Sequence, residues 1–233
     1  MPNENRPRKR SVVREYFELI VETVLFVFFV MTFVVQAFQI PSGSMEPTLL
    51  VGDFLLVNKL VYSVPVLPVE KYILPRRDIR RRDIVVFKYP LQLSQDFVKR
   101  VIGLEGEKVE IKDKQVYVND QPIAESYKAH SDTQVFTKNG FYRYDDTIRD
   151  NFGPVVVPPG HYFVMGDNRD NSYDSRYWSF LPVDNIKGKP WIIYFSYRAE
   201  RDADTKTGLA DRMKKILSFF PKARWRRIFR VVN

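Results

Sequence analysis

The stretch DIVVFKYPLQLSQDFVKRVIGLEGEKVEIKDKQVYVND, residues 83–120, decides the fold. It holds four short runs rich in Val, Ile, Tyr and Phe: Asp83–Tyr89, Val98–Ile102, Lys108–Ile111 and Gln115–Val118. Most are bounded by Gly, Pro, Asn or Asp. Runs too short for helices, separated by turn formers, read as strands of an antiparallel sheet. Similar runs at Phe54–Val57, Val155–Val157, Tyr162–Met165 and Trp191–Tyr197 carry the pattern outward. Asn119-Asp120-Gln121-Pro122 reads as a turn between strands. Residues 124–153 are polar and irregular, which predicts an insertion or a mobile loop. The body is therefore expected to be mainly β.

Upstream the pattern changes. Residues 23–35, TVLFVFFVMTFVV, carry no charge, and the apolar character extends from about Phe17 to Ile40. At ~1.5 Å per residue this reaches roughly 36 Å, enough to span a bilayer with some tilt. Arg6, Arg8, Lys9, Arg10 and Arg14 precede it, whereas residues 41–58 hold no Lys or Arg. The positive-inside rule then places the N-terminus in the cytoplasm and the body outside. A cleavable signal peptide shares the basic start. Glu18, Glu22 and the bulky core favour a retained anchor instead.

The formal net charge of +9 is concentrated at the two ends. That distribution suits anionic lipid better than a nucleic-acid groove. From Leu209 to Phe220 apolar residues recur at helical spacing among basic ones, and Trp225, Ile228 and Phe229 follow among arginines. An amphipathic tail lying in the membrane interface is expected there. The expected organisation is a basic start (1–16), a span (17–40), a β body (41–205, with a variable insertion about 112–160) and a basic tail (206–233). The chain has no cysteine. Disulfide frameworks, thiolate metal sites and a thiol nucleophile are thereby excluded.

Three stretches could carry chemistry. Pro41-Ser42-Gly43-Ser44-Met45-Glu46-Pro47 places two serines on a segment constrained by Gly and Pro. Read alone it is a Ser/Gly/Pro loop. A serine needs a neighbouring base. His130 sits in the irregular stretch, and His161 starts a predicted strand. A lysine serves only where burial lowers its pKa. In Asp96–Gly103 strand alternation sends Lys99 and Arg100 to opposite faces, with Lys99 on the side of Phe97 and Val101. The third stretch, residues 166–178, is almost wholly hydrogen-bonding. Its Asp170, Ser172 and Asp174 have the spacing of a calcium loop, but Ser175 and Leu181 stand where Gly and Glu would be needed. No metal site is expected. A hydrogen-bond network that holds a neighbouring site rigid fits better.

Taken together, QIPSGSMEPTLLVGDFLLVNK (39–59), RRRDIVVFKYP (80–90), DFVKRVIGLEGEKV (96–109) and GDNRDNSYDSRYW (166–178) resemble the type I signal peptidases. The resemblance runs from about Val34 to Pro182. It implies a membrane-anchored serine endopeptidase with an antiparallel β catalytic core and a β insertion. Its implied task is to remove signal peptides from exported preproteins after a small-x-small site, at the bacterial cell membrane. Ser44 would be the nucleophile and Lys99 the general base. Ser42 and the Ser44 N–H would form the oxyanion hole, and Ser172 would orient Lys99. Asp174 and Arg176 would brace the site as an ion pair, and Gly166, Asp167 and Arg169 would shape its wall. The implied partners are preproteins and the lipid bilayer, with no cofactor and no nucleic acid. One departure is Arg82, where the family commonly has Gly.

Overall fold

The computed structural model describes residues 12–62, 77–137, 144–198 and 222–232. Helix α1 (Val12–Phe29) continues through a wider π turn, Val30–Val34. No residue of α1 is buried against the body. Together the two segments form the one helix among the described residues long and apolar enough to cross a membrane, 23 residues. Near its start Arg14 pairs with Glu18 at 2.7 Å, one helical turn apart. At its end Lys59 Nζ donates to Thr32 O (2.6 Å), and the Lys59 N–H donates to Val34 O (2.9 Å). A cation there satisfies carbonyls that a helix C-terminus leaves unpaired.

The apolar run was expected to stay in the span as far as Ile40. Instead Val35–Gln39 form strand β1. Gln36 and Gln39 break the all-round apolar character, and pairing with a neighbouring strand satisfies the backbone. The rest of the chain adds β2 (Asp53–Asn58), β3 (Ile84–Lys88), β4 (Asp96–Gly103), β5 (Lys108–Lys112), β6 (Gln115–Val118) and β7 (Gln121–Pro122). Then come α2 (Tyr144–Asp150), β8 (Phe152–Val156), β9 (His161–Met165), α3 (Ser175–Trp178), β10 (Leu181–Pro182), β11 (Ile186–Ser196) and β12 (Arg230–Val231). Every predicted strand is present within a few residues.

The strands form two sheets among the described residues. The larger has the order β1-β2-β11-β3-β4-β9-β10, with β12 also on β11, and the smaller has the order β7-β6-β5-β8. All the named pairings are antiparallel. Hence β1, β11 and β4 point one way, away from α1, and β2, β3 and β9 point back. β3 is buried on both faces. Ile84 and Val86 join a core with Leu55, Val57 and Ile193, while Val85 and Phe87 join one with Val101, Val164 and Trp178. That is why its sequence is continuously apolar rather than alternating. A third core, around Val109, Val116 and Phe163, joins the smaller sheet to β4 and β9.

Two expectations need correction. Residues 124–137 and 144–153 are not a loose loop. They contain α2, and Ala129 exchanges backbone hydrogen bonds with Asp167 (2.8 Å) and Arg169 (2.9 Å). The end of the tail is not an interfacial helix: β12 pairs with β11, Ile193 facing Arg230. Leu209–Phe220 lie outside the described residues.

Buried Asp53 explains this docking. It accepts from Ser196 Oγ (2.6 Å), from the Leu50 N–H (2.8 Å), and from Arg227 Nε (3.1 Å) and Nη2 (2.5 Å). Part of the terminal basic charge is thus internal, consumed by a carboxylate. Removing one partner of a buried pair strands the other. Asp53→Ala is expected to destabilise the protein by about 3–5 kcal/mol and release the C-terminal strand. Thermal melting and carboxypeptidase sensitivity check this. An unchanged melt would show that the clamp contributes nothing.

Candidate active site

Ser44 lies on a single 3₁₀ turn, Gly43–Met45, just beyond β1. The turn is held from beneath, because Met45 and Leu49 are buried in the core. It is held from the side by residues 166–168. The Asn168 N–H donates to Ser44 O (3.1 Å), and Asn168 Nδ2 donates to Gly43 O (3.2 Å). Gly166 makes this approach possible. A Cβ there would stand 2.4 Å from Ser44 O and 2.3 Å from Ser172 Oγ, closer than atoms can come. Ser42 Oγ is 3.5 Å from Ser44 Oγ.

Lys99 reaches the serine from β4, with Nζ 2.7 Å from Ser44 Oγ. The two residues are 55 positions apart in sequence. Lys99 has no carboxylate partner at salt-bridge distance among the described residues. Burial lowers its pKa to about 8, with the Arg176 guanidinium acting in the same direction. The carboxylates of Asp174 and Asp167 pull it back upward, but do not win. At pH 7 about a tenth of such an amine is neutral. A buried lysine against a serine hydroxyl is the pairing that can activate the serine without histidine. Both histidines are engaged elsewhere, His130 with Asp170 (3.1 Å) and His161 with Pro159 O (2.8 Å).

Alternation sends Arg100 to the other face, but that face is buried too. Arg100 forms a two-point ion pair with Asp167, Nε–Oδ1 2.8 Å and Nη2–Oδ2 2.7 Å. Thr48 Oγ1 also donates to Asp167, at 2.6 Å. Asp167 therefore ties β4 to the segment that carries Ser44 and Thr48. Asp174 caps α3 and pairs with Arg176 at 2.8 Å. It also accepts from the Gly166 N–H (3.1 Å). Burial alone would raise its carboxyl. The Arg176 guanidinium outweighs this, and the pKa falls below the ordinary value. Arg169 donates to Gly166 O (3.0 Å) and forms a buried pair with Glu125.

Ser172 departs from expectation. It is buried next to Gly166 and makes no hydrogen bond to Lys99; its hydroxyl lies instead beside the Asp174 carboxylate, whose pKa it helps to lower. Several residues of this site had no role in the sequence reading: Thr48, Arg100, Glu125 and Asn168. For Arg100 a signal existed, a second cation inside an apolar strand. Glu125 gave none, since it sits in a polar stretch. Arg82 has φ +76°, a left-handed conformation that glycine adopts at no steric cost. Its side chain donates to Ala124 O (2.8 Å).

In front of Ser44 and Lys99 lies a cleft of about 450 Å³. Phe38 and Ile40 line one side, Asp96–Val98 the other, and Met45 and Tyr173 complete it. β1 and β4 are far apart in sheet order, so the sheet must curl for both to face one cleft. Both offer open edges. β1 is an edge strand, and β4 pairs with β9 only from Arg100 onward.

Comparison with known proteins shows which family the chain resembles. Residues 13–195 match the family model "Signal peptidase, peptidase S26". A signal peptidase I of Pseudomonas aeruginosa is 36% identical over 214 residues, covering 81% of this chain and 75% of that protein. One from Aquifex aeolicus is 37% identical over 218 residues, covering 74% and 80%. A solved signal peptidase I from Enterococcus faecalis is 34% identical and covers 48% of this chain and 97% of its own, with a TM-score of 0.39.

Proposed function

Because the chain belongs to the signal peptidase family of peptidase S26, serine peptidases that remove signal peptides, we propose that Ser44 and Lys99 form its catalytic dyad. The observation that carries this is the 2.7 Å approach of a buried lysine, held largely neutral by its surroundings above pH 8, to a serine on a rigid turn. Neutral Lys99 takes the proton of Ser44 as Oγ bonds to the scissile carbonyl carbon. The oxyanion is met by the Ser44 N–H and the Ser42 hydroxyl; one such donor typically contributes ~10²–10³ in rate. The Lys99 ammonium then protonates the leaving amine as the C–N bond breaks. The mature protein departs, and the signal peptide remains esterified to Ser44. Water loses a proton to Lys99, attacks the ester and frees both.

The other site residues act on these two. Asp167 with Arg100, and Asp174 with Arg176, fix the loop whose Asn168 holds the carbonyls of Gly43 and Ser44. Ser172 fills the space beside Gly166. The preprotein lies extended in the cleft, adding backbone hydrogen bonds to open strand edges. With the N-terminus cytoplasmic, β1 rises from the membrane toward Ser44. A signal peptide emerging beside it runs the same way, parallel to β1 and β4. The apolar wall of Phe38, Ile40, Met45 and Val98 suits small apolar side chains at the first and third positions before the cut.

The test is the pH dependence of kcat/KM on a preprotein. The rate is expected to rise about tenfold per pH unit below pH 8 and to level off above it, as Lys99 loses its proton. A profile flat from about pH 5 to about pH 9 would remove Lys99 as the base.

A further inference from the structure

The connection between β3 and β4, Pro90-Leu91-Gln92-Leu93-Ser94-Gln95, contains no charged residue. Leu91 is 70% exposed and Leu93 58%. These leucines do not sit on a loose loop. The Tyr89 N–H donates to Gln95 O (2.9 Å), the Gln92 N–H to Tyr89 O (3.0 Å), and the Gln95 N–H to Gln92 O (3.0 Å). Beneath them the Tyr89 ring stacks on Phe97 at 4.6 Å. The tip is a rigid mount that holds two apolar side chains away from every core.

Its position follows from the strand register. Val35, where β1 leaves the membrane helix, faces Asn58, and Asn58 faces Lys189. Next along β11, Gly188 faces Val86, and Lys88 faces Asp96. Since β3 runs toward α1, Lys88 lies past the level of Val35, and the tip lies further still. At ~3.3 Å per residue, Lys88 extends roughly 7 Å beyond Val86. The tip thus stands at the helix end of the sheet, beside the mouth of the cleft that Asp96 and Phe97 line. Lys88 at its base is exposed, placed as a cation at headgroup height.

We propose that the β3–β4 tip, through Leu91 and Leu93, seats in the bilayer interface at the side where the preprotein enters the cleft. It is a second membrane contact, distinct from α1. It holds the cleft mouth at the membrane surface, where the emerging signal peptide must be captured. This deepens the peptidase reading, on which its substrate side rests. The lipid contact itself is tested without activity.

The full chain, wild type and variants, is placed in vesicles of phosphatidylethanolamine and phosphatidylglycerol. Because the chain has no cysteine, Leu91→Cys and, on the smaller sheet, Gln121→Cys each give a single labelling site. An environment-sensitive dye at position 91 is expected to be blue-shifted and quenched by lipids brominated near the headgroup, and at position 121 to report water. Leu91→Gln/Leu93→Gln is expected to slow cleavage of a bilayer-embedded preprotein about tenfold, with a short soluble peptide cut at the wild-type rate. A dye at position 91 as wet as at 121 would overturn the proposal. So would an equal loss on both substrates. Dimerisation in detergent that the double variant abolishes would place a second copy of the chain on the tip instead. If no form cuts any substrate, the peptidase reading fails while the dye still decides the lipid contact.

Discussion

Ser44→Ala is expected to lower preprotein cleavage by at least about 10³-fold while leaving the fold intact. The substitution removes one oxygen, the atom proposed to bond to the scissile carbon. Met45, Leu49 and the two hydrogen bonds from Asn168 still hold the turn. Oxyanion donors and the cleft remain, so binding should persist and the loss should fall on kcat. Processing of a preprotein by purified enzyme in detergent, wild type beside variant, measures it. A variant that still cuts at a tenth of the wild-type rate would show that Ser44 is not the nucleophile.

Lys99→Met should be as inactive as Ser44→Ala, and the double variant no worse than either, because the two residues act as a unit. It should also be more stable. The wild type buries a group that is charged at neutral pH, and this costs free energy that a methionine of similar shape does not incur. The pH dependence follows from the pKa, lowered from 10.5 to about 8. Below pH 8 both the folded and the unfolded chain hold the proton, and the penalty is fully present. Between about 8 and 10.5 the folded chain releases the proton that the unfolded chain keeps. Wild-type stability therefore rises with pH over this window, by about 3 kcal/mol in all. The advantage of Lys99→Met should be largest at pH 7 and shrink toward pH 10. Thermal melts at both values test it. An advantage independent of pH would mean that Lys99 is not buried as a charge.

That balance places the buried Lys99 at the expense of stability. Its neighbours show how the cost is contained. Asp174 lies close enough to act on Lys99, but its hydrogen bonds are committed to Arg176 and the Gly166 N–H. Asp167 is likewise occupied by Arg100 and Thr48. Neither carboxylate makes the direct ion pair that would lock Lys99 in its charged form.

The sequence by itself determined the strands, the apolar span and the blocks that hold Ser44 and Lys99. These are local properties. Alternation along β4 separates Lys99 from Arg100, and the short apolar run at Asp83–Tyr89 reads as a strand. The GDNRDNSYDSRYW stretch advertises a polar network because nearly every side chain in it can form hydrogen bonds. Tertiary structure decided the rest. The curl of the sheet brings Ser44 to within 2.7 Å of Lys99, and no local pattern encodes that curl. Arg100 looked like a surface residue until Asp167, 67 positions away, explained its burial. Ser172 makes no hydrogen bond to Lys99; it packs against Gly166 with its hydroxyl beside Asp174. The sequence places the basic tail at the lipid surface; of its described end, Arg227 turns inward to a carboxylate on β2. In each case the deciding fact is the identity of a distant partner. A buried charge is tolerated only where its partner is, and that partner is fixed by packing rather than by neighbouring sequence.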